Sequence, residues 1–147
     1  MSYSPYVEPT PQKFLKPYRY VGTAQLSSLT AVVNLTSKKG EFNYAGVFAS
    51  SDNTSMKTVE IKVTIDGIEY GHISSQNDWN SHSVCIPANT NGNYMNISTG
   101  PIVNGGLGTQ GVYIKIPFNT SLKIEILCKA DSGTLSHDYG ALYSIYE

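Results

Sequence analysis

The stretch Thr58-Val-Glu-Ile-Lys-Val-Thr-Ile65, followed at once by Asp66-Gly67, indicates the fold class of this chain more strongly than any other. Its side chains alternate between polar and apolar, which is typical of a strand with one buried face and one face toward water. The Asp-Gly pair favours a two-residue type I′ turn. Residues 68–73 are therefore predicted to return antiparallel as the second strand of a hairpin. The apolar face of the first strand consists of Val59, Ile61, Val63 and Ile65.

Short β-prone runs separated by turn residues continue along the chain from residue 18 onward. The turn at residues 119–121 is predicted to close a second hairpin, because alternating apolar residues lie on both sides of it. About ten short strands and no helical spacing predict one all-β domain, an antiparallel β-sandwich of jelly-roll type over residues 18–147. The other predicted strands are 18–26, 29–35, 42–49, 83–86, 94–98, 112–118, 122–128 and 141–146.

The composition excludes several classes of function. The 147 residues fit one domain, and only 14% of them are charged. The ten Lys and Arg residues are scattered and the net charge is −1, so no basic surface for nucleic acid is expected. No apolar run approaches the roughly 20 residues of a membrane helix, and the first residues do not resemble a secretory signal. Cys85 and Cys128 lie far apart in sequence, which leaves two free thiols or, in an oxidising compartment, a disulfide.

Residues 1–17 are predicted to form an extended arm ahead of the sandwich. They hold four of the seven prolines, and proline excludes both a helix and an interior strand. One interpretation is a frayed terminus. The other is an arm that docks onto a neighbouring subunit, since disordered tails are usually poor in aromatic residues. Its anchors would be Tyr3, Tyr6, Val7, Phe14 and Leu15.

A second unusual segment is the stretch of 36 residues between Asp78 and Lys115, which contains no Asp, Glu, Lys or Arg. Exposed surfaces normally carry charge for solubility, whereas the centres of interfaces are depleted of it. The stretch is therefore interpreted either as a polar loop excursion or as a subunit interface or ligand surface.

No set of residues in the sequence has the spacing of a catalytic or metal site. His72, His82 and His137 form no paired motif, and His72 and His82 could share a metal with Asp78 only if their loops meet. The glycine-rich residues 105–111 lack the lysine of a phosphate-binding loop. The sequence therefore predicts a protein that is not an enzyme and has no cofactor or metal.

Carbohydrate binding is the best of the site-type alternatives. Saccharide sites need an aromatic platform among neutral hydrogen-bonding side chains. Trp79 would be the platform, with Asn77, Asn80 and Tyr94 around it. The alternative is that Trp79 closes one end of the core.

Tyrosines gather near the two ends of the sequence. Seven of the 11 lie in the first 20 or the last nine residues. Tyrosine is common at interfaces, because its ring packs while its hydroxyl forms hydrogen bonds. If the two ends meet at one end of the sandwich, they would form a tyrosine-rich docking surface.

The order of these segments resembles the small β-sandwich virion proteins of tailed bacteriophages, namely head-fibre, decoration and tail-attachment subunits. The residues that carry the resemblance are Gly46-Val-Phe-Ala-Ser-Ser51, Ile114-Lys-Ile-Pro-Phe118 and Ser121-Leu-Lys-Ile-Glu-Ile126, together with the arm and the tyrosine-rich end. The resemblance implies a structural or attachment subunit, assembled in the host cytoplasm into the virion. It implies a homo-oligomer, with a trimer favoured, that contacts other virion proteins, with a host-surface glycan as an optional further partner. The alternative is a carbohydrate- or receptor-binding module.

Overall fold

Every regular element in the described part of the chain is a β-strand. The computed structural model describes residues 11–49, 56–77, 82–86, 95–96, 103–104, 115–131 and 137–147. The strands are β1 (Leu15–Gly22), β2 (Leu26–Thr36), β3 (Gly40–Ala49), β4 (Lys57–Ile65), β5 (Ile68–Asn77), β6 (His82–Ile86), β7 (Met95–Asn96), β8 (Val103–Asn104), β9 (Ile116–Phe118), β10 (Ser121–Ala130) and β11 (His137–Tyr146).

The strands form two antiparallel sheets and a short ribbon. The first sheet has the order β1-β11-β3-β6, with β9 also paired to β3, and the second has the order β2-β10-β4-β5. The ribbon consists of β7 and β8. Among the eight longer strands, every step along the chain except β4 to β5 passes from one sheet to the other. Eight strands wound in this way over two sheets form a jelly roll, so the predicted fold class is confirmed.

The hairpin predicted at Asp66-Gly67 is confirmed. β4 pairs with β5, and Ile65 lies opposite Ile68 across the turn. Asp66 and Gly67 have φ of 51° and 81°, and positive φ at both central residues is what a type I′ turn requires. An aspartate tolerates this conformation better than most residues, and a glycine adopts it freely.

The second predicted hairpin is wrong. β9 pairs with β3 in the first sheet, while β10 pairs with β2 and β4 in the second. Residues 119–120 therefore cross from sheet to sheet. The alternating apolar residues on both sides of residues 119–121 suggested a hairpin. They alternate because Phe118 and Leu122 both face the core, each from its own sheet. A strand's apolar face shows that it covers the core and does not show which strand is its neighbour.

The core lies between the two sheets and is filled by the inward residues of each. Cys128 lies on the inward face of β10, and its side chain is fully buried. Burial raises the pKa of the Cys128 thiol to about 12. Cys85 is also buried, and the two cysteines form no disulfide bond with each other. The largest fully buried side chains among the described residues are Phe42, Val47, Lys57, Val59, Ile61, Val63, Phe118, Leu122, Ile124, Ile126 and Cys128.

The two ends of the described chain meet along one edge of the first sheet, because β1 pairs with β11 over its whole length. β1 begins at Leu15, so residues 15–17 belong to the sheet. As an edge strand it tolerates Pro17, which lacks an amide hydrogen. The turn to β2 lies at residues 23–25, earlier than the sequence predicts.

The tyrosines of β1 and β11 are brought together along this strand pair. The rings of Tyr18 and Tyr143 stack with centroids 5.6 Å apart, and those of Tyr20 and Tyr139 at 6.2 Å. Tyr139 is only 3% exposed and belongs to the core cluster. Tyr20, Tyr139 and Tyr143 thus pack with the core, so this part of the tyrosine-rich region that the sequence suggested as a docking surface belongs to the interior.

Candidate interaction surface

One end of the sandwich is held together by the carboxylate of Asp66. This group accepts hydrogen bonds from the backbone N–H groups of Asn119 at 2.9 Å, Thr120 at 2.7 Å and Ser121 at 3.0 Å. The Thr120 hydroxyl donates to it as well, at 3.0 Å. These bonds, that from Ser121 foremost, hold the pKa of the Asp66 carboxyl well below its usual range. The β4–β5 turn is thereby fastened to the crossing between the sheets.

The turn between β2 and β3 joins the same end. Lys38 N donates to the carbonyl of Thr120 at 3.2 Å, and Tyr146 N donates to the carbonyl of Lys39 at 2.9 Å. Phe14 and Glu147 exchange two backbone hydrogen bonds, of 2.8 and 3.0 Å. We call this region the turn end. It comprises residues 37–39, 66–67 and 119–120, the adjoining start of β5, and residues 13–14 and 146–147.

The side chain of Glu147 is engaged by β1. Its Oε1 accepts a hydrogen bond from the Tyr18 hydroxyl at 2.5 Å, and its Oε2 lies 3.5 Å from Lys16 Nζ. The bond from Tyr18, with the nearby charges of Lys16 and Lys38, lowers the pKa of the Glu147 carboxyl. The negative charge of Glu147 is therefore partly satisfied within the fold.

Exposed apolar side chains are concentrated at the turn end. Phe14 is 68% exposed, although its backbone is fixed by two hydrogen bonds, and Ile68, next to the hairpin turn, is 74% exposed. Exposed apolar patches mark interaction sites more often than isolated apolar residues do. A cavity of about 340 Å³ opens beside Ile68, lined by Ile65, Asp66, Ile68, Glu69, Tyr70 and Ile116.

A second cavity at the turn end, of about 410 Å³, is basic. We call it the basic cleft. Ser37 in its wall has a φ of 55°, the left-handed conformation that only a few percent of residues other than glycine adopt. The cleft is lined by Lys13, Ser37, Lys38, Lys39, Asn119, Thr120 and Tyr146.

The structure places only some of the predicted site residues. Of the arm anchors, Phe14 is exposed at the turn end and Leu15 is half-buried in β1, while Tyr3, Tyr6 and Val7 lie outside the described residues. Of the glycan-binding candidates, Asn77 ends β5. Its side chain lies outside the described part, as do Trp79, Asn80 and Tyr94.

His72 is the histidine whose side chain the structure describes, and two glutamates lie beside it. His72 Nε2 lies 2.5 Å from Glu60 Oε1, and its Nδ1 lies 3.9 Å from Glu69 Oε1. Within the described residues no group of three or more His, Cys, Asp or Glu side chains is placed to hold a metal ion. The side chains of His82 and His137 lie outside them. No helix among the described residues has the length and hydropathy needed to cross a membrane.

Sequence reasoning missed the basic cleft. Lys38-Lys39 is the only adjacent pair of basic residues in the chain and lies in a turn, which is a weak signal. Lys13 and Tyr146 come from opposite ends of the sequence, and they reach the cleft through the pairing of β1 with β11. Sequence spacing cannot reveal such a meeting.

No protein-family model matches the chain, and no curated protein sequence matches it. Among solved structures, it is similar to a chain in the structure of the infectious bursal disease virus Gx strain, with 13% identity and a TM-score of 0.32, over 99% of this chain and 36% of that one. It is also similar to the crystal structure of the infectious bursal disease virus VP2 subviral particle, with 16% identity and a TM-score of 0.27, over 88% and 33%. The chain thus spans about a third of the length of the chains it matches.

The Asp66 carboxylate makes the stability of the turn end depend on pH. Its pKa is lower in the folded protein than in the unfolded chain, so its ionised form stabilises the fold. This stabilisation is complete above the unfolded pKa of about 3.9 and is lost as the pH falls through the folded pKa. We expect Asp66→Asn, which keeps a residue that tolerates positive φ, to lower the urea midpoint at neutral pH. The difference in urea midpoint between the variant and the wild type should become smaller below about pH 4.

Urea titrations of both proteins across this pH range provide the measurement. The matched control is Asp131→Asn, at an exposed aspartate outside the turn end, which should leave the midpoint unchanged. A gap between Asp66→Asn and the wild type that stays constant with pH would show that the carboxylate charge does not fasten the turns.

Proposed function

We propose that this chain is a non-enzymatic structural or attachment subunit of a bacteriophage virion, associated with the capsid or the tail. In this proposal it assembles in the host cytoplasm as a homo-oligomer, with a trimer favoured, and contacts other virion proteins. The contacts are made by the N-terminal arm, residues 1–17, and by residues 79–114, the segment that contains no Asp, Glu, Lys or Arg.

The observation that carries the proposal is the exposure of Phe14 at the root of the arm. Its backbone is held on both its N–H and its carbonyl by Glu147, so the position of Phe14 is set by the fold. Its side chain nevertheless projects 68% exposed and contributes little to the stability of the subunit. A fixed backbone that presents an apolar ring to solvent suits docking onto a neighbour, because little conformational entropy is lost on binding.

The fold is compatible with this role without establishing it. Jelly rolls build viral capsid domains and lectin domains alike, and a fold does not by itself determine a function. The phage assignment therefore rests on the resemblance of the sequence segments, and the assembly proposal rests on the arm.

Deletion of residues 1–10 tests the assembly proposal without disturbing β1. We expect the deletion to reduce the sedimentation coefficient toward that of a single subunit, and Phe14→Ala to shift the association equilibrium in the same direction. The matched control is Met56→Ala, at an exposed apolar residue just before β4, at the other end of the sandwich. Unchanged sedimentation of both the deletion and Phe14→Ala would reject assembly through the arm.

The second candidate function is that of a carbohydrate- or receptor-binding module. The observation that favours it is the basic cleft, in which a tyrosine ring and several hydrogen-bonding side chains line one concave site.

A further inference from the structure

We propose that the basic cleft binds an acidic saccharide residue, one that carries a carboxylate or a sulfate group. The inference rests on the second candidate function and names its ligand class and its site. The residues that form this site do not include Trp79, the residue the sequence singled out.

The charge of the cleft selects an anion. Lys13, Lys38 and Lys39 line one concavity, and none of the described residues that line it carries a carboxylate. The acidic side chains at the turn end are already engaged, Asp66 by backbone N–H groups, Glu147 by Tyr18 and Lys16, and Glu69 by Lys62. The whole chain has a net charge of −1, so this grouping of lysines is a local feature of the surface.

The remaining lining residues select a sugar over a simple ion. Ser37, Asn119 and Thr120 supply neutral hydrogen-bonding groups. The ring of Tyr146 is 43% exposed and offers the apolar platform on which a sugar ring packs. The volume of about 410 Å³ falls within the roughly 300–1,000 Å³ of small-molecule sites.

The backbone of the cleft is organised before any ligand binds. The walls of the cleft include residues 37–39, residues 119–120 and Tyr146. The hydrogen bonds from Lys38 N to the Thr120 carbonyl and from Tyr146 N to the Lys39 carbonyl join these walls. The Asp66 carboxylate fixes residues 119–121. Ser37 is held with positive φ, and such conformations cluster at functional sites. A preformed site loses less conformational entropy when it binds.

Titration of the isotope-labelled chain, followed by its amide NMR spectrum, tests the proposal. The probes are sialyllactose for the carboxylate, a heparin-derived disaccharide for the sulfate, lactose as the neutral sugar and sodium sulfate as the simple anion. We expect shifts at the amides of residues 37–39 and 119–120 with at least one acidic sugar, and much weaker shifts with lactose and sodium sulfate. Equal shifts with sodium sulfate would overturn the saccharide assignment, and no shifts with either acidic sugar would overturn the site.

Charge-matched variants separate the cleft from the rest of the surface. Lys38→Gln/Lys39→Gln keeps the backbone hydrogen bonds and is expected to weaken binding of the acidic sugar at least about tenfold, because charge-assisted hydrogen bonds are lost. Lys123→Gln/Lys129→Gln removes the same charge from β10 and should leave the affinity unchanged. If both double variants weaken binding of the acidic sugar equally, the proposal is overturned. If the first pair fails to fold, Lys13→Gln replaces it, and an unchanged affinity in that variant would overturn the proposal.

The Trp79→Ala variant shows whether an acidic sugar binds in the basic cleft or at a different carbohydrate site. Binding that survives Trp79→Ala but not Lys38→Gln/Lys39→Gln supports the cleft. Binding that is lost only in Trp79→Ala would overturn the cleft while keeping the carbohydrate-binding function. The absence of binding to any sugar would reject both, and it would leave the assembly proposal to its own sedimentation test.

Discussion

Gly40→Ala is expected to lower the free energy of unfolding by at least about 3 kcal/mol, at the upper end of the effects of overpacking. A Cβ at Gly40 would lie 1.9 Å from the carbonyl oxygen of Ser144 and 2.6 Å from Cζ of Phe118. The first contact is with the backbone of β11, which pairs with β3 at this position. Relief of the clash therefore requires movement of a central strand.

Gly71→Ala is the matched control for this prediction. A Cβ at Gly71 would meet only the side chain of Ile86, at 3.1 Å, so that a side-chain adjustment can relieve it. We expect a loss below about 1.5 kcal/mol, as for tolerated changes of core volume. Urea unfolding of the two variants provides the comparison. A Gly40→Ala protein as stable as Gly71→Ala would show that β3 and β11 do not approach as closely as described.

Phe42→Ala is expected to cost about 3–5 kcal/mol, the usual loss when a buried phenylalanine is truncated. Phe42 is fully buried between the sheets, and its ring meets that of Tyr70 edge-on with centroids 6.2 Å apart. Tyr70 belongs to β5 in the second sheet, while Phe42 belongs to β3 in the first. The truncation therefore removes a contact that joins the two layers and leaves a cavity between them.

Phe14→Ala makes the same chemical change at an exposed position and is the control for Phe42→Ala. We expect its free energy of unfolding to stay within about 0.5 kcal/mol of the wild type, as for most surface substitutions. Thermal or urea unfolding of the subunit at low concentration measures both. Similar losses in the two variants would contradict the assignment of Phe42 to the core and of Phe14 to a surface that serves only assembly.

The strand character of the chain could be predicted because it depends on local pattern. Residues 58–65 alternate without interruption, and Asp66-Gly67 favours a single turn type, so both strands of that hairpin followed from neighbouring residues. The crossing at residues 119–120 could not be predicted in this way. Its flanking strands alternate as those of a hairpin do, and only the packing of two sheets assigns them different partners.

The candidate site depended still more on long-range contacts. Asp66 was recognisable as a turn residue, but its bonds to residues 119–121 span more than 50 positions of sequence. The basic cleft combines Lys13 and Tyr146 with two turns, through strand pairings that no spacing encodes. Phe14 could be named as an anchor from the sequence because an aromatic residue in a proline-rich segment is conspicuous there, and the structure shows that its side chain is exposed.

The mass of the full chain in solution, measured by light scattering after size-exclusion chromatography, tests the assembly proposal most directly. We expect a multiple of the 16.0 kDa subunit mass, three times that value for the favoured trimer, and a return to one subunit when residues 1–10 are removed. A mass of 16.0 kDa for the full chain at every concentration tested would contradict a role in which this jelly roll assembles through its arm.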